Sequence, residues 1–288
     1  MKRFPAAALV WCLTASAQGV DAPPSASSGS GHLLLRMPVA DKVAFNGAVN
    51  FDAAGSKAGA MLYPAPGLIG FMAAIATHGV LANAARDSEK QKLRDKADEV
   101  LTPYLGILDS FKHQELMQAA LPRMASMGDK RLVVASAEPG AGEALIDSLP
   151  NFYMTQDRRA LVLENVVAIR LPARDKVYEN VVRVVSPVKD DKDLEAFWLA
   201  GQGAHLKEES TRMYAQSIDL ALNDSTADSK AAPTYRTVRY QEGGTERIER
   251  AQLISERCNQ LVVRTLRGNL MAVPRRPDPA AAAETGCQ

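Results

Sequence analysis

The sequence predicts an α+β fold, in which a helical hairpin packs on a mixed or antiparallel sheet and a small C-terminal antiparallel β meander follows. Three patterns predict this fold. Apolar residues recur at spacings of three and four between Arg86 and Met124, as in amphipathic helices. The valine-rich runs Ala160–Leu171 and Val177–Val188 are typical of strands. Short alternating runs between Thr234 and Pro274, separated by glycine turns, predict the meander.

The N-terminus has the three parts of a secretory signal peptide. Lys2–Arg3 is a positive n-region, Phe4–Leu13 is a short apolar core, and Ala15–Ala17 is a small-residue cleavage site. The apolar core is too short to span a bilayer, which disfavours an uncleaved anchor. We therefore expect residues 1–17 to be removed, and the mature chain to begin at Gln18 in the periplasm of a bacterial cell.

Changes in composition predict how the rest of the chain is organised. Pro, Ser and Gly dominate the residues after the signal peptide, and a polar run precedes the meander. The predicted parts are a signal peptide (1–17), a flexible leader with two short strands (18–57), an α+β domain (58–223), a linker (224–233), an Arg-rich β meander (234–276) and a disordered tail (277–288).

The stretch Ala58–Ala85 contains no Asp, Glu, Lys or Arg, in a chain that is 23% charged. Pro64 and Pro66 delay any helix, so the helical part is predicted over Leu68–Ala85. An all-apolar helix is either buried in a core or placed in or on a membrane. Its many Ala and Gly residues suit close helix packing, and we favour a core helix that forms an antiparallel hairpin with the helices after it.

The α+β domain continues with alternating helices and strands. Thr102–Pro103 predicts a helix restart, because Thr is a good N-cap and Pro suits the first helical position. A strand near Arg131 is followed by a tight turn and a helix over Glu143–Leu149. Phe152–Thr155 adds a strand, and the loop Pro172–Lys176 joins the two valine-rich runs in an antiparallel hairpin. Two further helices are predicted over Asp191–Trp198 and Gly203–Asn223.

The meander has an unusual charge pattern. Residues 234–276 contain nine arginines, four glutamates and no lysine. Arginine makes forked contacts with carboxylate and phosphate groups, so the arginines are candidates for binding an anionic ligand or an acidic partner. The alternative, which we favour, is a solvated β face with cross-strand Arg–Glu pairs. The candidate residues are Arg236, Arg239, Arg247, Arg250, Arg264 and Arg267.

Two cysteines remain once Cys12 leaves with the signal peptide. Cys258 and Cys287 could form a disulfide in an oxidising compartment. A buried Cys258 with a free Cys287 is the alternative, because pairing requires a Cα separation that the sequence does not reveal.

Familiar catalytic and metal-binding motifs do not occur in the sequence. It contains no G-x-S-x-G elbow, no H-E-x-x-H, no Cys–His zinc spacing and no phosphate loop. We therefore expect no cofactor and no metal, and favour a non-catalytic protein, although a triad of distant residues needs no local motif. A net charge of +1 and 6% aromatic residues disfavour a nucleic-acid partner.

The segments Gly67–Gly70, continuing to Asn83, and Ala97–Tyr104 resemble exported bacterial proteins of unknown function. In that group a Gly/Ala-rich apolar helix precedes a charged helix that ends in an L-x-P-type restart. The resemblance implies an exported protein and no particular activity. We predict an interaction or assembly accessory of the cell envelope, whose partner is an envelope protein or an anionic envelope ligand. The alternatives are a protein anchored in the membrane by residues 68–85 and an unrecognised cell-envelope hydrolase.

Overall fold

A ten-stranded mixed sheet with helices confirms the α+β class. The computed structural model describes residues 32–49, 84–126, 128–172, 174–227, 232–257 and 259–275. Several predicted features lie outside these ranges: the signal peptide, the two cysteines of the possible disulfide, the C-terminal tail and nearly all of the apolar helix. Among the helices that the structure describes, none combines the length and hydropathy that a membrane span requires.

Short parallel strands form one end of the sheet. They are β1 (His32–Arg36), β2 (Ala44–Gly47) and β3 (Lys130–Val133), and they precede the long strand β4 (Glu143–Met154). Strand β1 lies between β3 and the first half of β4, and it is parallel to both. Strand β2 pairs in parallel with the second half of β4. One edge of β4 therefore holds two short strands in succession.

The predicted helix over Glu143–Leu149 is wrong, because these residues form the first half of β4. Ala, Leu and Glu favour a helix locally, but β4 is paired along both edges, by β1 on one side and a long antiparallel neighbour on the other. Leu145 and Ile146 are both fully buried, one on each face of the sheet. Pairing and two-sided burial therefore override local propensity. The predicted strand at Phe152 is confirmed as the end of β4.

The centre of the sheet is the predicted valine-rich hairpin. Strands β5 (Leu161–Arg170) and β6 (Tyr178–Val185) pair antiparallel, with Val166 opposite Val181. Most residues of β5 are buried on both faces, which explains why its sequence is a nearly continuous apolar run.

The C-terminal strands extend this sheet. Strands β7 (Tyr235–Glu242), β8 (Thr245–Arg257), β9 (Gln260–Thr265) and β10 (Leu270–Pro274) pair antiparallel in succession, as a meander does. Strand β10 also pairs in parallel with β6. The meander is therefore part of the ten-stranded sheet, and β7 is its last strand.

Helices cover one face of the sheet. They are α1 (Ala84–Asp98), α2 (Leu105–Ser110), α3 (His113–Ala120) and α4 (Leu194–Thr226), with 3₁₀ turns at Glu99–Tyr104 and Leu121–Arg123. The predicted restart at Thr102–Pro103 lies inside the first of these turns: Thr102 is not an N-cap, and α2 begins at Leu105. Helix α4 contains four non-helical residues, 200–203, so it consists of two helical segments close to the two that were predicted.

Two hydrophobic clusters stabilise the two faces. The larger lies between the helices and the sheet, and its fully buried members include Tyr214, Ile218 and Leu163. The smaller lies on the opposite face, where the sheet curls back on itself and β7 and β8 close over β5 and β6. Its members are Val162, Val185, Val238, Tyr240, Ala251, Leu261, Val263, Met271 and Val273. The hairpin of β7 and β8 thus has an inner side on this cluster and an outer side turned away from it.

Candidate functional site

The six candidate arginines do not share one surface. Strand alternation places Arg236 and Arg247 on the inner side of the β7–β8 hairpin, together with the buried residues Val238 and Tyr240. Arg239 and Arg250 lie on the outer side. The remaining two are in or near the β9–β10 turn.

The inner arginines take part in ion pairs. Arg236 Nη2 lies 3.4 Å from Glu256 Oε2, and Arg247 Nη2 lies 3.4 Å from Glu242 Oε1. Glu242 is buried at the end of β7. These two guanidinium groups are therefore engaged by carboxylates of the same C-terminal strands.

A buried ion network that the sequence did not predict holds the hairpin over the sheet. Arg183 on β6 donates to Glu242 Oε2 at 2.7 Å and also pairs with Glu164 on β5. Burial by itself would lower the pKa of Arg183, but the two carboxylates outweigh that effect and raise the pKa above its usual value. One cation thus joins the β5–β6 hairpin to β7, which is distant in sequence. Its role is to position the β7–β8 hairpin.

The turn between β7 and β8 is fixed by a second contact. Asp157, in the turn between β4 and β5, accepts a hydrogen bond from Gly244 N at 2.5 Å and another from Thr155 Oγ1 at 2.6 Å. Partial burial raises the pKa of Asp157, but these hydrogen bonds outweigh it, so the net pKa lies below its usual value. At neutral pH Asp157 is therefore an ionised anchor for the hairpin.

Arg264 is neutralised at the C-terminal end of α4. It pairs with Asp224, which also accepts a hydrogen bond from the Tyr178 hydroxyl at 2.7 Å. Burial is the main cause that raises the pKa of Tyr178, and the neighbouring Asp224 raises it further. This cluster ties α4 to β6 and β9. Arg264 therefore has a structural partner within the molecule.

The outer side of the hairpin carries two exposed arginines, Arg239 and Arg250. Arg239 lies opposite Ile248, and Arg250 lies opposite Thr237, so the two arginines are diagonal neighbours on adjacent strands. Arg239 keeps 54% of its side chain exposed and contacts Glu246 at 3.4 Å. Arg250 is exposed and has no ion pair among the residues that the structure describes.

Exposed aliphatic side chains accompany these arginines. Ile248 is 57% exposed, Ile254 is 46% exposed, and Leu266, in the turn after β9, is 59% exposed. The described part of the molecule exposes six large hydrophobic side chains in all, so half of them are concentrated here. Ala251 pairs with Thr265, which brings Arg250 beside Leu266. We call this surface the outer face; it consists of Arg239, Ile248, Arg250 and Leu266, together with Ile254 at the β-bulge of β8.

Arg267 lies close to the outer face, in the same turn as Leu266. It is exposed, and within the described ranges no carboxylate pairs with it. The local charge around the aliphatic side chains is therefore positive, although the whole chain has a net charge of only +1.

An open depression of about 560 Å³ lies elsewhere, beside the start of α4. Its charged groups have structural roles: Arg158 pairs with Glu195 at 3.0 Å, and Asp193 accepts a hydrogen bond from Ala196 N at 2.9 Å as the N-cap of α4. Burial raises the pKa of the nearby Tyr104 to about 12, so its hydroxyl is neutral at physiological pH. Tyr104 therefore does not provide the depression with an acid or base that ionises near neutral pH. Across the ranges that the structure covers, no cluster of three or more His, Cys, Asp or Glu could hold a metal ion.

The sequence predicted six candidate arginines without distinguishing among them, and the fold places them in different environments. The exposed isoleucines were the missed signal, since Ile248 and Arg250 occupy alternate positions of β8, and Ile254 follows at the β-bulge of the same strand. Neither Cys258 nor Cys287 is among the described residues, so their predicted pairing stays a prediction.

The chain matches no protein-family model and no curated protein sequence. A crystal structure of an uncharacterized protein is similar at 13% sequence identity over 68% of this chain and 92% of that chain, with a TM-score of 0.25. So low a TM-score assigns neither fold nor function to this chain.

Proposed function

We propose that this protein is an exported interaction protein of the bacterial cell envelope, and that it binds an anionic partner through the outer face. One observation carries the proposal: exposed arginines and half of the exposed large hydrophobic side chains occur together on the outer side of the β7–β8 hairpin, at the β-bulge of β8 and in the turn after β9. Single exposed apolar residues are common on protein surfaces, but a concentration of them together with arginine is typical of contact surfaces.

The positions of the other candidate arginines support this choice. Arg247 and Arg264 pair with largely buried carboxylates, which a second anion would have to displace. Arg236 is about as exposed as Arg239, but it lies on the other side of the hairpin. Arg239 and Arg250 need no such displacement of a buried group. The contact surface is therefore narrower than the Arg-rich meander as a whole.

The pattern of residues 1–17 supports export, because a positive n-region, a short apolar core and an A-x-A site together direct secretion. An envelope location provides anionic partners in the form of acidic proteins and phosphate-bearing lipids. Fractionation should recover the tagged protein with the periplasmic or envelope material, and mass spectrometry should find an N-terminus at Gln18.

The test of the contact surface is capture of envelope components by the tagged double variant Arg239→Gln/Arg250→Gln. Removing two accessible guanidinium groups should lower recovery of the bound components about 10-fold or more. The matched control is Lys42→Gln/Lys112→Gln, which removes two exposed cations, 62% and 55% exposed, from a distant part of the molecule. Its recovery should equal that of the wild type. Equal recovery by the arginine variant would show that the outer face is not the contact surface.

A further inference from the structure

The outer face alternates cationic and aliphatic side chains. Ile248 lies directly opposite Arg239, Arg250 follows two residues later on the same side of β8, and Leu266 is beside Arg250. Neither chemical class forms a continuous patch of its own. We infer that the anionic partner of the outer face is a phospholipid surface, an inference that rests on the function proposed above.

The composition of the outer face favours a lipid surface over an acidic protein. Protein–protein interfaces are enriched in aromatic residues as well as in arginine. Here the exposed large hydrophobic residues are aliphatic, and an arginine stands beside two of them, Ile248 and Leu266. At a membrane interface, phosphate groups and the first acyl carbons lie within a few ångströms of each other, so interleaved guanidinium and aliphatic groups are satisfied together.

The aliphatic side chains also argue against a small soluble anion as the natural ligand. Inorganic phosphate could pair with Arg239 and Arg250, but it would leave Ile248, Ile254 and Leu266 in water. A lipid surface adds shallow burial of these three side chains to the phosphate contacts. The result is peripheral and reversible attachment, with the β7–β8 face lying against the headgroups.

The charge of the molecule makes the inference measurable. The net charge of +1 provides little general attraction to anionic membranes. A preference for anionic over neutral vesicles would therefore come from local clusters such as the outer face. Each arginine close to an anionic surface strengthens binding about fivefold, and salt screens this contribution.

The experiment is sedimentation of the purified full chain with vesicles of phosphatidylcholine alone and of phosphatidylcholine mixed with phosphatidylglycerol. Wild type should prefer the anionic vesicles, and Arg239→Gln/Arg250→Gln should bind them about 30-fold more weakly. A second variant, Ile248→Ser/Ile254→Ser, should weaken the same binding roughly 10-fold, because burial of the two aliphatic side chains is lost. Lys42→Gln/Lys112→Gln should bind as the wild type does. The wild type and all variants contain residues 58–85, so any contribution of this stretch to vesicle binding cancels when they are compared.

Three results would overturn the inference. Equal binding of wild type and the arginine variant to anionic vesicles would show that the outer face does not contact lipid. Competition of vesicle binding by millimolar inorganic phosphate, with no effect of the isoleucine variant, would indicate a small-anion site. Absence of vesicle binding, together with arginine-dependent capture of an envelope protein, would identify an acidic protein partner and leave the proposed function intact. If capture is also independent of the arginines, the proposed function fails too.

Discussion

Arginine side chains have three distinct environments in this molecule, and their carboxylate partners distinguish them. Arg183 is enclosed between strands and pairs with two carboxylates. Arg264 is tied to Asp224 at the end of a helix. Arg250 extends from the outer face without an ion pair among the described residues. A buried guanidinium group must be paired because isolated charges are costly to desolvate, whereas an accessible one remains available to a partner.

The first prediction concerns Arg183. Replacement by Met removes the cation from Glu164 and leaves the buried Glu242 with only its longer contact to Arg247, so the free energy of unfolding should fall by about 2 kcal/mol. Urea denaturation at neutral pH measures the change.

Arg239→Met is the matched control for that experiment. Arg239 is more than half exposed and contacts its carboxylate only at 3.4 Å, so the same substitution there should change stability by no more than about 0.5 kcal/mol. Equal effects of the two substitutions would mean that the network around Arg183 does not hold the hairpin.

At the scale of single elements, helix α4 contains an unusual interruption. Gly201, Gln202 and Gly203 adopt left-handed backbone conformations in succession, with φ of 59°, 59° and 80°. Such residues rarely occur in a row, because the left-handed conformation is unfavourable for residues with a Cβ atom. The two flanking glycines reduce the cost. The interruption divides α4 into a short segment before it and a long helix that packs on the central strands.

The second prediction concerns Gly203→Ala. A Cβ atom at this position would lie 2.6 Å from Ile107 Cγ2, and φ is +80°, so crowding and backbone strain add. Together they should destabilise the protein by roughly 2 to 4 kcal/mol, measured by thermal or urea denaturation.

Gly106→Ala is the control, because Gly106 lies in the adjacent helix α2 and a Cβ atom there would meet nothing within 4 Å. This substitution should be neutral or stabilise the protein by about 0.5 to 1 kcal/mol, since alanine favours helix more than glycine does. A neutral Gly203→Ala variant would contradict the close packing of the two segments.

At the scale of the whole molecule, the C-terminal strands depend on the centre of the sheet. Strand β10 is hydrogen-bonded to β6, and the inner side of the β7–β8 hairpin shares a hydrophobic cluster with β5 and β6. The cation of Arg183 and the carboxylate of Asp157 add polar contacts across the same boundary. Neither the C-terminal strands nor the central strands bury their side of this hydrophobic cluster without the other.

The third prediction is therefore cooperative unfolding. In a Trp11→Phe background, fluorescence of Trp198 reports on the helical face, and far-UV circular dichroism reports on the whole sheet. The two urea transitions should coincide, as they do for a two-state protein. A fragment ending before Thr234 should fail to fold, because it would expose the cluster that the meander covers. Separate transitions, or a folded fragment, would indicate an independent C-terminal unit.

Local sequence patterns predicted those elements in which the tertiary packing favours the same secondary structure as the local propensity. The valine-rich β5 and β6 and the two segments of α4 were predictable, since propensity and tertiary packing favour the same structure there. Residues 143–149 were not, because their Ala, Leu and Glu favour a helix until two neighbouring strands pair with them.

The sequence by itself determined the α+β class, most strand and helix positions and the unusual abundance of arginine near the C-terminus. Only the tertiary structure decided which arginines are tied to largely buried carboxylates: Arg264 pairs with Asp224, 40 residues away along the chain, whereas Arg250 has no ion pair among the described residues. It also decided that the meander joins the main sheet, through pairing of β10 with β6. Local patterns record the periodicity of burial along one element, whereas ion pairing and strand order depend on which distant elements meet.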